Sequence, residues 1–254
     1  MSVNDNAVIG QHDLSPVSDL GDLPWYIHLY TVMGAALSIS NLSQRFIKFL
    51  RRALARRSNN ELDDFDFNFV RFKPERIDAL CKRTKFTRNE LKLMYQGFKQ
   101  ACPTGIVNEN AFKDIYASFF PQGDASLYAH YVFKLIDQEH NGTINFQDFV
   151  IGLSTISRGT DLEKLQWTFN LYDINGDGKI TKEEMYEITT AIYLMLGQFT
   201  EPTVEEDTSK DHADRVFQKL DLNNDGVVTF DEFVDICLRD DNLIKSMNLL
   251  DTVM

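Results

Sequence analysis

Asp173-Ile174-Asn175-Gly176-Asp177-Gly178-Lys179-Ile180-Thr181-Lys182-Glu183-Glu184 is the stretch whose reading decides the fold. Its first, third, fifth and twelfth positions carry oxygen-bearing side chains, its sixth is glycine and its eighth is β-branched. A hard divalent cation of calcium's size takes six to eight oxygens at about 2.3–2.6 Å. Asp173, Asn175 and Asp177 offer three side-chain oxygens, the backbone carbonyl of Lys179 a fourth, and the carboxylate of Glu184 two more. Gly178 permits a sharp turn that a Cβ would obstruct. Thr181, at the ninth position, is expected to reach the ion through a water. A surface turn rich in Asp, Asn and Gly with no cation is the competing reading, but here every ligand position is filled.

This is the loop pattern of an EF-hand, and its spacing recurs three more times. The segment Asp221 to Glu232 is complete, with Asp221, Asn223, Asp225, Gly226, the carbonyl of Val227, Thr229 and Glu232. The segment Asp137 to Asp148 supplies Asp137, Glu139, Asn141, Gly142, the carbonyl of Thr143 and, at its twelfth position, Asp148. That last carboxylate is one methylene short for bidentate reach, so the loop reads as a weak calcium site or a magnesium site. The segment Gln100 to Ala111 keeps Gly105 but has Gln100, Cys102 and Ala111 at ligand positions, with Pro103 stiffening the turn. It should bind nothing. Position eight is Val107, Ile144, Ile180 and Val228, which suits a short antiparallel strand pairing the loops two by two. The expected fold is all-α: four EF-hands in two lobes, residues 74–158 and 159–254, the second closing on a C-terminal helix with Leu243, Ile244, Met247, Leu250 and Val253 at helical spacing. That helix could be plain packing or a plug. Residues 197–211 read as a polar linker.

The formal charge of −12 makes general nucleic-acid affinity through the body unexpected. Three widely spaced cysteines (Cys81, Cys102, Cys237) argue against a disulfide framework and for a reducing compartment. The start shows no secretory pattern, and Met1-Ser2 lacks the glycine that an N-myristoylation signal needs at its second position. Residues 1–22 read as a disordered tail. The span 23–60 has no Asp or Glu and carries Arg45, Lys48, Arg51, Arg52, Arg56 and Arg57, leaving −18 for the remainder. Its apolar part, Trp25 to Leu42, is too interrupted for a transmembrane helix. Phe46, Ile47, Leu50 and Leu54 then recur at helical spacing with the basic residues opposite. That pattern fits a membrane-surface helix, a partner-binding helix, or one folded back on its own protein. Residues 61–73 read as a linker.

Large apolar side chains flank the loops, among them Phe98, Phe112, Tyr116 and Phe133 early and Trp167, Phe169, Phe217 and Phe233 late. Most should be core. Nineteen Phe and nine Tyr exceed what two small lobes hide, so some are expected to line a groove for an amphipathic helix. No nucleophile–base pairing, phosphate-cradling glycine loop or catalytic zinc pattern is present, so an enzyme is not expected.

Cys102-Pro103 in a ligand-poor first loop, followed by three better ones, resembles the neuronal calcium sensor family. Five stretches are similar to its Kv channel-interacting branch, which includes calsenilin: Phe119-Phe120-Pro121-Gln122-Gly123-Asp124-Ala125-Ser126, Tyr128-Ala129-His130-Tyr131, Arg158-Gly159-Thr160, Trp167 to Asn175, and Lys182-Glu183-Glu184-Met185. The resemblance spans residues 71–254. It implies a cytoplasmic auxiliary subunit of A-type (Shal-type) voltage-gated potassium channels, peripheral at the plasma membrane through the channel. In that family the channel's N-terminal segment lies in the apolar groove, and binding changes surface expression and inactivation. The alternatives are a calcium-regulated DNA-binding repressor, kept in view by the Arg45–Arg57 stretch, and a calcium sensor or buffer with another target. With serine at position 2 and no cysteine before Cys81, lipid anchoring is not expected, and Trp25 to Arg57 is the candidate membrane contact.

Overall fold

The computed structural model describes residues 77–197 and 206–249, which are mostly helical. The expected tail (1–22), amphipathic segment (23–60) and linker (61–73) lie outside the described residues, as do Leu250 and Val253. No described helix is long and apolar enough to cross a membrane.

In chain order the elements are α1 (Ile77–Arg83), α2 (Arg88–Ala101), β1 (Ile106–Asn108), α3 (Glu109–Phe119), α4 (Ser126–Ile136), β2 (Thr143–Asn145), α5 (Phe146–Arg158), α6 (Asp161–Tyr172), β3 (Lys179–Thr181), α7 (Lys182–Leu196), α8 (Glu206–Leu220), β4 (Val227–Thr229), α9 (Phe230–Arg239) and α10 (Asp241–Leu249). Each three-residue strand sits between two helices and pairs antiparallel with one other, β1 with β2 and β3 with β4. The registers place Val107 opposite Ile144 and Ile180 opposite Val228, all four buried. Ladders this short are not stable alone; the buried β-branched pair at the centre of each ties it to the core.

The sequence sets the helix starts through side-chain caps. Thr87, Asn145, Thr160, Thr181 and Thr229 each accept from the amide three residues on, and Glu90, Asp148, Glu163, Glu184 and Glu232 reach back to the cap's own amide. Replacing such a cap costs roughly 0.5–2 kcal/mol. Helix α8 starts at Glu206, so the last six residues of the polar linker expected over 197–211 are helical.

Phenylalanines join the helices across each pair of loops. Phe98 on α2 meets Phe146 and Phe149 at the start of α5, with ring centroids 5.5 and 5.8 Å apart. Phe112 on α3 meets Phe133 on α4 at 5.6 Å. In the second pair Phe169 on α6 meets Phe230 and Phe233 on α9 at 5.3 and 5.7 Å, edge to face. Such contacts contribute about 0.5–1.5 kcal/mol each beyond area burial. Seven of the nineteen Phe and two of the nine Tyr lie outside the described residues, and the others are buried or half-buried. The large apolar side chains left exposed among the described residues are leucines and one isoleucine, not aromatics. Leu243 and Met247 of α10 are fully buried, and the buried Lys164 of α6 donates from Nζ to the carbonyl of Met247 at 3.2 Å.

Two seams tie distant parts of the chain together, one within the first pair of helix–loop–helix units and one between the first pair and the second. At one, Arg158 holds Glu90 with both guanidinium nitrogens (2.5 and 3.2 Å), donates to the Lys85 carbonyl and lies 4.7 Å over the Phe86 ring. At the other, the Asp124 amide donates to the Leu194 carbonyl at 2.8 Å. There the backbones cross so closely that a Cβ on Gly123 would collide with the Leu194 and Met195 carbonyls, and one on Gly197 with Gln122.

Candidate metal centres in the loops

The loop from Asp173 to Glu184 begins where α6 ends: the Asp173 amide closes the last helical turn on the Phe169 carbonyl at 2.9 Å. From there its carboxylate gathers the loop. Oδ1 accepts from the amides of Gly176 (2.8 Å) and Asp177 (3.0 Å), and Oδ2 from Gly178 (2.9 Å). Asn175 Oδ1 accepts from the Asp177 amide, and Asp177 Oδ1 from the Lys179 amide. Gly178 has φ +84°, and Gly226 at the same position has φ +86°, a region that a side chain strains. The loop closes through Glu184, whose Oε1 accepts from the Asn175 amide across nine residues (3.2 Å) and whose Oε2 accepts from the Thr181 amide and hydroxyl. Position twelve is therefore both the cap of α7 and a strap back to position three.

The loop from Asp221 to Glu232 repeats this network except for the bond from the position-four amide to the first aspartate. Asp221 accepts from Asp225 and Gly226, Asn223 from Asp225, Asp225 from Val227, and Glu232 Oε1 from the Asn223 amide at 3.4 Å. Burial pushes the Glu232 carboxyl up, but the hydrogen bonds from Thr229 and Asn223 outweigh it, leaving it below the ordinary glutamate value. In both loops the threonine hydroxyl donates to the position-twelve carboxylate, at 2.8 Å from Thr181 and 2.7 Å from Thr229. The Thr181 hydroxyl is thus part of the cap of α7.

In the loop from Asp137 to Asp148, Asp137 accepts from the amides of Asn141 and Gly142, and Asn141 Oδ1 from Thr143. Asp148 Oδ2 takes the Asn145 amide at 3.1 Å and makes no bond to Glu139, so the strap is missing. Burial raises the Asp148 carboxyl above the usual aspartate range; the Asn145 amide opposes this, and Glu139 and Asp137 add to it. The shorter aspartate serves its helix as a cap and does not reach across.

The first loop departs furthest. Helix α2 continues through Ala101 and caps at Cys102, so Gln100 lies in a helix and not at the start of a loop. From that cap the backbone reaches β1 in four residues, where the other loops take six from cap to strand. With no ligands to splay the backbone, helix replaces loop, and Pro103 stops it. Lys99 Nζ bonds the Pro103 carbonyl at 2.7 Å, placing an ammonium within the turn. The segment's one carboxylate, Glu109, is held by Lys113 (2.6 Å) and His130 (2.7 Å). Burial pushes the Cys102 thiol up to about 11, so it offers no thiolate.

Among the described residues no group of three or more His, Cys, Asp or Glu side chains alone makes up a metal site. The donor set of the last two loops is of another kind, mixing two aspartates and a glutamate with an asparagine and a backbone carbonyl. It fits an oxygen-seeking cation, because an ionised carboxylate has about four lone-pair sites. Asp173 and Glu184 each use three on loop hydrogen bonds and Asp177 uses two. Residues 162–238 match the family of the EF-hand domain pair, a calcium-binding module. The match runs from α6 to α9 and contains both complete loops.

Proposed function

We propose that this protein, whose residues 162–238 are a calcium-binding EF-hand pair, has four EF-hands in two lobes and acts as a calcium sensor. Its calcium sites are Asp173, Asn175, Asp177, the Lys179 carbonyl and Glu184, and Asp221, Asn223, Asp225, the Val227 carbonyl and Glu232. Asp137, Glu139, Asn141, the Thr143 carbonyl and Asp148 form a weaker site for calcium or magnesium, and the first loop binds no cation. One observation carries this reading. In both complete loops the position-twelve glutamate straps back to position three, and in the other two that strap is absent.

Bound calcium supplies positive charge that draws the loop carboxylates together. The protein's own part is to hold those carboxylates ready on backbone amides and to transmit loop closure into α7 and α9, since Glu184 and Glu232 belong to both loop and helix. The sequence resemblance supports a target as well: the N-terminal segment of a Shal-type voltage-gated potassium channel. On this reading it enters an apolar groove by displacing α10, whose Leu243 and Met247 are buried, with the protein cytoplasmic and held at the plasma membrane through the channel. Calorimetric titration with that peptide, in calcium and in magnesium with chelator, tests the reading. Tight binding supports a channel subunit, and the difference between runs gives the calcium dependence. No heat in either run reduces the reading to a calcium sensor with another target.

A further inference from the structure

Two of the loops carry an Asn-Gly dipeptide, Asn141-Gly142 and Asn175-Gly176, with all four residues exposed. Glycine after asparagine leaves the least steric obstruction to one reaction of the polypeptide with itself. The Gly amide nitrogen attacks the Asn Cγ, a new C–N bond forms, and the bond from Cγ to the carboxamide nitrogen breaks. Ammonia leaves with the amide proton, giving a five-membered succinimide. Water then opens either carbonyl, giving aspartate or isoaspartate; no oxidant or further reactant is needed.

The geometry points to these two dipeptides as deamidation sites that the folded loop protects. Attack requires the glycine nitrogen to lose its proton. In the third loop that N–H is bonded to Asp173 Oδ1 at 2.8 Å, beside a carboxylate that would repel the amide anion. The Asn175 carboxamide is tied at both ends to Asp177, through the Asp177 amide (2.8 Å) and through Nδ2 to Oδ2 (3.2 Å). The Asn175 amide is strapped to Glu184. In the second loop the Gly142 N–H lies on Asp137 Oδ2 at 2.8 Å, and the Asn141 carboxamide is held by Thr143 and Glu139. That loop lacks the position-twelve strap, so it opens at lower cost. Asn141 therefore converts faster than Asn175, and conversion at Asn175 is slowed further by calcium. Asn175 would gain a charge as aspartate, and as isoaspartate a backbone methylene within a loop whose twelve-residue length sets its ligand spacing.

The fourth loop is the internal control, since Asn223-Asn224-Asp225 has asparagines in the same setting without a following glycine. The location of the sites stands on the dipeptides and their hydrogen bonds; the calcium effect rests on the function proposed above. The full-length protein is aged at mildly alkaline pH in calcium, in chelator and in urea, then digested, and each asparagine is scored by mass spectrometry with isoaspartate quantified. The expected order is Asn141 above Asn175 above Asn223 when folded. Urea should speed both Asn-Gly sites about tenfold or more by removing the loop hydrogen bonds, and calcium should slow Asn175 relative to chelator. Equal rates at Asn223 and the two Asn-Gly sites, or no acceleration in urea, would overturn the proposal. Protection in the folded protein that is the same with and without calcium would leave the sites standing and count against the third loop as a calcium site.

Discussion

The first and third loops hold the same place in their respective pairs and share a glycine and a β-branched strand residue, yet they are built oppositely. In the third, five oxygen-bearing positions lie on an extended loop whose amides are satisfied by Asp173, Asn175, Asp177 and Glu184. In the first, helix α2 runs two residues further, and a lysine ammonium braces the turn from Lys99 to Pro103. The lesson is that ligand residues shape the loop before any ion arrives. Carboxylates that accept backbone amides keep the backbone out of helix, and where they are missing the helix extends. The second loop stands between these extremes, with ligands but no strap.

The largest expected effect tests whether the two pairs share one core logic. Phe169→Ala and Phe98→Ala should each cost about 3–5 kcal/mol in denaturant unfolding of the calcium-free protein, because each ring is buried against two others. A small loss at Phe98 alone would mean that the first pair is the looser one.

The next largest concerns the buried His212, whose Nδ1 lies 2.6 Å from the Tyr193 hydroxyl between α7 and α8. Burial, helped by Arg215, lowers its pKa from 6.5 to about 4. The unfolded state therefore takes up the proton first as pH falls. The stability that the neutral ring provides is complete above about pH 6.5 and drains away toward pH 4, by on the order of 2 kcal/mol. Stability measured against pH for the protein and for His212→Asn should differ in slope over that window and run parallel above it.

Asp148→Glu should turn the intermediate loop into one like the third, raising its calcium affinity by about tenfold or more as the longer carboxylate reaches the position-three amide. Titration monitored in the presence of magnesium reads this directly; an unchanged affinity would show that the strap is not what separates the loops. The smallest effect is expected for Lys99→Met, a loss of about 1 kcal/mol of stability with calcium binding untouched.

Much of this was legible in the sequence because ligand spacing, glycine and the β-branched residue are local requirements. The pairing of Val107 with Ile144 and of Ile180 with Val228 followed from them. Three things were not legible. The helical extension at Gln100 depends on what is missing from a loop, and the motif's spacing says nothing of that. The commitment of Thr181 to Glu184 arises because position nine is also a helix cap, and the Thr-x-x-Glu capping box was the available signal. The seams at Arg158–Glu90 and Gly123–Gly197 join residues far apart in sequence, and only the folded backbone shows them meeting.

The most direct test is a calcium titration of the protein beside Glu184→Gln, Glu232→Gln and the double variant, with calorimetry giving affinity and stoichiometry. The expected result is about two sites with dissociation constants on the order of 10⁻⁷ to 10⁻⁵ M, one lost in each single variant and both in the double. Stoichiometry unchanged by either substitution would contradict it, and would place the cation outside the two strapped loops.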